Sequence, residues 1–293
     1  MRPIYYILLI ILSSTALVSC KLDKEEPIPG FIRIDTLQND LNYSSQGTNR
    51  HNFTEAWVYI DGGLLGVYDL PALFPVLETG TRDVMIRPGI KRDGISASRV
   101  NHPHFENWEV VNTEIRIGDT LELVPQLQLR SGINVWFEDF EEAGMKFENA
   151  GTADTSLTPT TDSSMVYEGN GSGYAFLDGD NDRFAIFTKE NFNFRYGTPV
   201  FLEFDYKIEG FLQISILVHT PGQPDVGKLA LFVGPKYNDK NQLVWNKIYV
   251  NLSDEISSEP NASSFDIRIE GFPNFDQTNT SYLIDNVKVL YPN

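Results

Sequence analysis

From Pro27 onward the chain is written in short alternating runs, each broken after a few residues by Gly, Pro, Asn or Asp. That period of two constrains the fold more than any other feature. A strand points successive side chains to opposite faces, whereas an amphipathic helix needs apolar residues three and four apart, and no sustained stripe of that kind occurs. Val200, Leu202, Phe204, Tyr206 and Ile208 form one apolar face against Glu203, Asp205, Lys207 and Glu209, the pattern of a half-buried antiparallel strand. Leu212, Ile214, Ile216 and Val218 repeat it, and further strands are expected over 229–233, 243–252, 265–269 and 283–290. The fold class that follows is all-β.

In the N-terminal half, Trp57-Val58-Tyr59-Ile60, the turn Asp61-Gly62-Gly63 and Leu64 to Tyr68 read as a hairpin. A second hairpin is expected over 115–124, where Ile115, Ile117, Leu121 and Leu123 alternate around Gly118-Asp119, and Val84-Met85-Ile86 adds a strand ending at Pro88-Gly89. About seven short strands over residues 31–130 predict a small sandwich of immunoglobulin-like size. The segment 126–132 reads as its boundary. Beyond it, roughly eight strands without a helix over 131–293 predict a jelly-roll sandwich. The Val58 to Gly62 hairpin and the strand at 84–89 are similar to PEGA-type surface sandwiches. Over 134–293, Phe137-Glu138-Asp139-Phe140-Glu141, Leu202 to Lys207, Trp245 to Leu252 and Tyr282 to Val289 resemble jelly-roll modules of secreted Bacteroidota proteins, related to carbohydrate-binding and galactose-binding-like domains.

Arg2 is followed by nine apolar residues, Ile4 to Leu12. A helix needs about 20 to cross a bilayer, so this run reads as the apolar core of a secretory signal over residues 1–19. Leu17-Val18-Ser19-Cys20 resembles a bacterial lipobox, which implies that Cys20 becomes the lipidated N-terminus and that 20–30 form a tether. Several acyl chains on one residue anchor stably. The alternative is an ordinary signal peptide with a chance cysteine. Lys21-Leu22-Asp23-Lys24-Glu25-Glu26 resembles the acidic export signal of Bacteroidota surface lipoproteins, which implies an outer-membrane anchor facing the cell surface.

A formal net charge of −17 argues against nucleic acid as a partner. With one cysteine, the chain can make neither an internal disulfide nor a zinc site of the Cys-rich kind. No His-Glu-x-x-His, Gly-x-Ser-x-Gly or Walker-type loop occurs, and a non-enzymatic protein is expected. Glu138 lies between Trp136 and Phe140, and Asp285 alternates with Leu283, Val287 and Val289, so each acid is expected on an apolar face that demands a partner. The resembled sugar-binding modules often hold a structural calcium with an acid from the first strand and one from the last, which implies Ca2+ between Glu138 and Asp285. Capping of backbone amides is the competing reading. Asp178-Gly179-Asp180-Asn181-Asp182 has the opening spacing of a calcium loop but lacks its later ligands, and a solvated turn is expected. His102-Pro103-His104 reads as a kinked loop. Asp35-Thr36-Leu37 and Asp119-Thr120-Leu121 match a short O-glycosylation pattern of Bacteroidota.

Because Val244, Ile248 and Val250 must face the core, Trp245, Lys247 and Tyr249 are expected outward. Trp245 and Tyr249 are therefore the candidate sugar platform, with a contact to the first domain as the alternative. The function read from the sequence is a cell-surface lipoprotein that binds a glycan or surface ligand through its jelly roll. The alternative is an accessory subunit of an outer-membrane protein complex.

Overall fold

The computed structural model describes residues 27–151, 153–274 and 278–293; strand makes up 52% of the described residues against 3% helix, which fixes the class as all-β. Ten strands precede residue 128: β1 (Gly30–Ile34), β2 (Gln38–Asn39), β3 (Glu55–Ile60), β4 (Gly63–Asp69), β5 (Ala72–Val76), β6 (Gly80–Lys91), β7 (Arg99–Asn101), β8 (Trp108–Ile115), β9 (Thr120–Leu123) and β10 (Gln126–Leu127). One sheet has the order β5-β1-β9, a second β4-β3-β6-β7 with β8 also on β6, and β2 pairs β10. Ile32, Ile34 and Phe74 from the first meet Ala56, Val58 and Ile86 from the second in one core.

The β3–β4 hairpin closes through Asp61 and Gly62, both at positive φ (48° and 81°), as a tight turn matched to strand twist requires. The expected hairpin over 115–124 does not form. β8 pairs β6 antiparallel, while β9 lies parallel to β1 in the other sheet. Ile115 and Leu123 both reach the shared core, so the turn at Gly118 carries the chain between sheets. Alternation reads the same for either outcome.

Eleven strands follow: β11 (Ile133–Glu138), β12 (Phe147–Asn149), β13 (Thr158–Thr160), β14 (Ser172–Leu177), β15 (Phe184–Thr188), β16 (Phe201–Ile208), β17 (Phe211–His219), β18 (Val226–Val233), β19 (Asn246–Asn251), β20 (Ser264–Phe272) and β21 (Thr280–Pro292). They make two sheets, β13-β14-β21-β16-β19 with β11 also on β21, and β12-β15-β20-β17-β18. Leu202, Phe204, Ile284 and Val287 of one face Ile214, Ile216, Ile267 and Ile269 of the other across the core. β21 is the spine, pairing β14 and then β11 along one edge and β16 along the other.

The polar face of β16 is not solvated, contrary to the half-buried pattern read from sequence. Glu203 and Asp205 are buried, as are Lys247 on β19 and Asn286 and Lys288 on β21, because the N-terminal sandwich covers this face. Lys288 Nζ donates to the Thr48 carbonyl at 2.5 Å, and Asp93 accepts from the Asn251 amide at 2.8 Å. Phe201 and Tyr249 belong to the core of the N-terminal sandwich, so apolar packing continues across the junction.

Candidate functional site

With one face of the C-terminal sandwich covered, the outer face of the β12-β15-β20-β17-β18 sheet is the one open to a ligand. Paired residues of antiparallel strands share a face. Phe211 lies opposite Phe272, Gln213 opposite both Glu270 and Phe232, and Leu217 opposite Asp266. Phe211 and Phe232 break the alternation, standing exposed beside the buried Leu212 and Val233. Together with Phe272, Pro273, Asp154, Asp182, Arg183 and Asn274 they line an open hollow of about 970 Å³. Apolar rings and polar groups converge there, the composition of a small-molecule site.

A polar strip continues along the same face. Glu270 accepts from Arg268 at 2.9 Å and from Gln213 Nε2 at 3.2 Å, and lies 3.7 Å from Arg183. At the far end His219 sits between Asp225 and Asp266, each 2.9 Å from a ring nitrogen. Burial alone would push the imidazole down, but the two carboxylates more than offset it and raise it above its ordinary value. With both nitrogens facing acceptors, the protonated ring satisfies the geometry best.

The residues singled out from sequence lie elsewhere. Tyr249 is not an outward platform: it is 2% exposed, its ring lies parallel to Phe53 and edge-on to His102, and its hydroxyl accepts from the Asn52 amide at 2.8 Å. The face opposite Ile248 is indeed a separate face, but the N-terminal sandwich occupies it. Trp245 stays half-buried against Tyr167, with ring centroids 4.6 Å apart, and Arg50 lies over that same Tyr167 ring. His102-Pro103-His104 is a turn in a loop, as expected, with both rings buried in the junction, and burial pushes both imidazoles down, His104 to about 4.

Glu138 and Asp285 do not converge. Glu138 pairs with Val287 on the core face and accepts from the amides of Phe140, at 2.7 Å, and Lys146. Asn286 interrupts β21 with a left-handed φ of 50°, which reverses the phase of the strand. Asp285 therefore shares the outer face with its partner Asp205 instead of the core face with Val287 and Val289. It accepts from Ser172 Oγ at 2.7 Å and from the amides of Asn286 and Glu168 at 2.7 and 3.2 Å. Burial pushes its carboxyl up to about 7. The pair does not fit a shared calcium ion, and no cluster of three or more His, Cys, Asp or Glu among the described residues could hold a metal. Asp178 accepts from the amides of Asp180 and Asn181, a local turn as expected. Cys20 lies outside the described residues, and among those described no helix is long and apolar enough to cross a membrane.

No protein-family model and no curated protein matches the chain. Among solved structures it is similar to the CBM22-1 xylan-binding domain from Paenibacillus barcinonensis Xyn10C (13% identity, 54% of this chain and 94% of that one, TM-score 0.35). It is also similar to the K1 cleaved adhesin domain of Lys-gingipain from Porphyromonas gingivalis (13%, 53% and 97%, 0.39). A carbohydrate-binding module specific for non-crystalline cellulose is a third (13%, 51% and 90%, 0.37).

Proposed function

We propose that this chain is a non-enzymatic lipoprotein, anchored through Cys20 at the outer membrane and facing the cell surface, that binds a glycan with the outer face of its C-terminal sandwich. The observation that carries the reading is the hollow walled by Phe211, Phe232 and Phe272 with Asp154, Asp182, Arg183 and Asn274 around it. Ring faces stack on the apolar face of a pyranose, while the amide and charged groups take its hydroxyls. Titration against an array of plant and bacterial glycans tests it. Binding by the wild type that falls at least tenfold in Phe232→Ala, with an unchanged melting curve, supports the site. An array blank for the wild type refutes the glycan reading.

A second reading, a subunit of an outer-membrane protein complex, is favoured by β18. It is the edge strand of its sheet and leaves Val226 and Leu229 half exposed, which suits pairing with another chain. Stoichiometric recovery of a β-barrel partner from solubilised membranes, with a blank array, would select it. The anchor is tested by Cys20→Ala, which is expected to move the protein out of the membrane fraction; retention there without acyl label removes the lipoprotein part.

A further inference from the structure

Asp205 lies at the middle of the covered sheet face, with Lys247 opposite it on β19 and Asp285 opposite it on β21. Its Oδ2 accepts from Lys247 Nζ at 3.3 Å and from Asn286 Nδ2 at 3.1 Å. One carboxylate oxygen thus holds an amine and a carboxamide together from two different strands. All three side chains are buried, Asp205 to 1%, Asn286 to 2% and Lys247 to 6% exposure. The carboxamide is fixed further, because the same Asn286 nitrogen donates to Glu168 Oε2 at 3.1 Å. Asn52 closes the site from the N-terminal sandwich through its contact with the Lys247 carbonyl at 3.2 Å.

We propose that Lys247 and Asn286 join in an intramolecular isopeptide bond, with Asp205 as the acid–base group that moves the protons. In the first step Lys247 passes one proton to Asp205 and becomes a free amine. Its Nζ then attacks Cγ of Asn286 and forms the new C–N bond. The bond from Cγ to Nδ2 breaks, and Asp205 relays protons from the attacking nitrogen to the leaving one. Ammonium departs, Asp205 returns to carboxylate, and a secondary amide remains. One amide bond replaces another, so nothing is oxidised or reduced and no co-reactant is needed.

Two physical points support the step, and the electrostatics set its order. Lys247 and Asn286 stand two strand spacings apart, about 10 Å, and the two side chains joined end to end span about the same distance when extended. Holding amine and carboxamide on one oxygen replaces a bimolecular encounter by an intramolecular one. Burial raises the Asp205 carboxyl, although Lys247 and Asn286 oppose the shift. Burial alone would lower the Lys247 ammonium, and Asp205 and Glu203 more than offset it. The raised Lys247 favours the ammonium, so transfer of its proton to Asp205 has to precede the attack. The chain's single cysteine leaves it no disulfide, so this bond would be its one covalent staple across a sheet.

Mass spectrometry decides the matter. The wild-type protein, compared with Lys247→Arg and Asp205→Ala purified in parallel and corrected for each substitution, is expected to be about 17 Da lighter, the mass of one ammonia. Neither variant should show this deficit. A digest of the wild type should contain one branched species joining the peptides that hold Lys247 and Asn286. This measurement needs no folded variant. A wild-type protein of full mass with a cooperative melting transition overturns the proposal. So does a deficit that persists in Lys247→Arg, which would place the ammonia loss at some other asparagine.

Discussion

Tyr249 is where the sandwich–sandwich junction is most exposed to experiment. Its ring sits within the N-terminal core although the residue belongs to β19, and its hydroxyl takes the Asn52 amide. A fully buried aromatic removes about 150–250 Å² from water, and at about 25 cal/mol per Å² the upper bound on its apolar contribution is about 4–6 kcal/mol. Large-to-small truncations of such rings cost about 3–5 kcal/mol once the cavity is included. Tyr249→Ala is therefore expected to destabilise the protein by about 4 kcal/mol, and at roughly 2–4 °C per kcal/mol for a chain of this size to lower Tm by about 8–16 °C. Tyr249→Phe keeps the ring but removes the acceptor of the half-buried Asn52 amide, and should cost about 0.5–1.5 kcal/mol. Calorimetry of the full chain reads both, and a single transition is expected because the packing runs across the junction. The opposite outcome, a Tm within about one degree of wild type together with loss of glycan binding, would refute the reasoning and restore Tyr249 as a sugar platform.

Removing divalent cations with a chelator is expected to leave the melting curve where it was, since Glu138 and Asp285 each cap amides on opposite faces of one sheet; a fall in Tm restored by Ca2+ would contradict this. The raised His219 contributes stability that is complete below the ordinary imidazole value of the unfolded chain and is lost as pH rises through the folded value, because the folded form holds the proton longer. The difference in Tm between wild type and His219→Gln should accordingly shrink from pH 5 to pH 9, and a constant difference would count against the clamp. Gly271→Ala places a methyl 2.0 Å from Phe184 Cε1, so a loss of about 1–3 kcal/mol by denaturant titration is expected from overpacking; a neutral result would mean that Phe184 can move aside.

The all-β class and the core faces of β16 and β17 were legible in alternation, because an apolar stripe of period two has one physical solution. What alternation could not give was the environment of the other face. Glu203, Asp205 and Lys247 look solvated in a string of letters and are buried because a second sandwich lies on them, a tertiary fact with no local signal. Asp285 was misplaced by one left-handed residue, Asn286, which reverses the phase of everything after it. Phe211 and Phe232 did leave a signal, since each is apolar where its strand's period asks for a polar residue. Such out-of-phase aromatics mark an open face better than Trp245 and Tyr249, which kept the period and were covered.

β21 carries a consequence for how the molecule comes into being. It follows every strand it pairs with, it lies between β14 or β11 and β16, and it supplies Lys288 to the N-terminal sandwich. A growing chain presents the other described strands first, with β16 lacking a neighbour on one edge and Glu203 lacking Lys288, which lies 3.8 Å from it in the finished fold. Pairings of such long sequence separation form late and slowly. The C-terminal sandwich and the junction therefore close only when residues 280–292 arrive, whatever the strands before them have already formed.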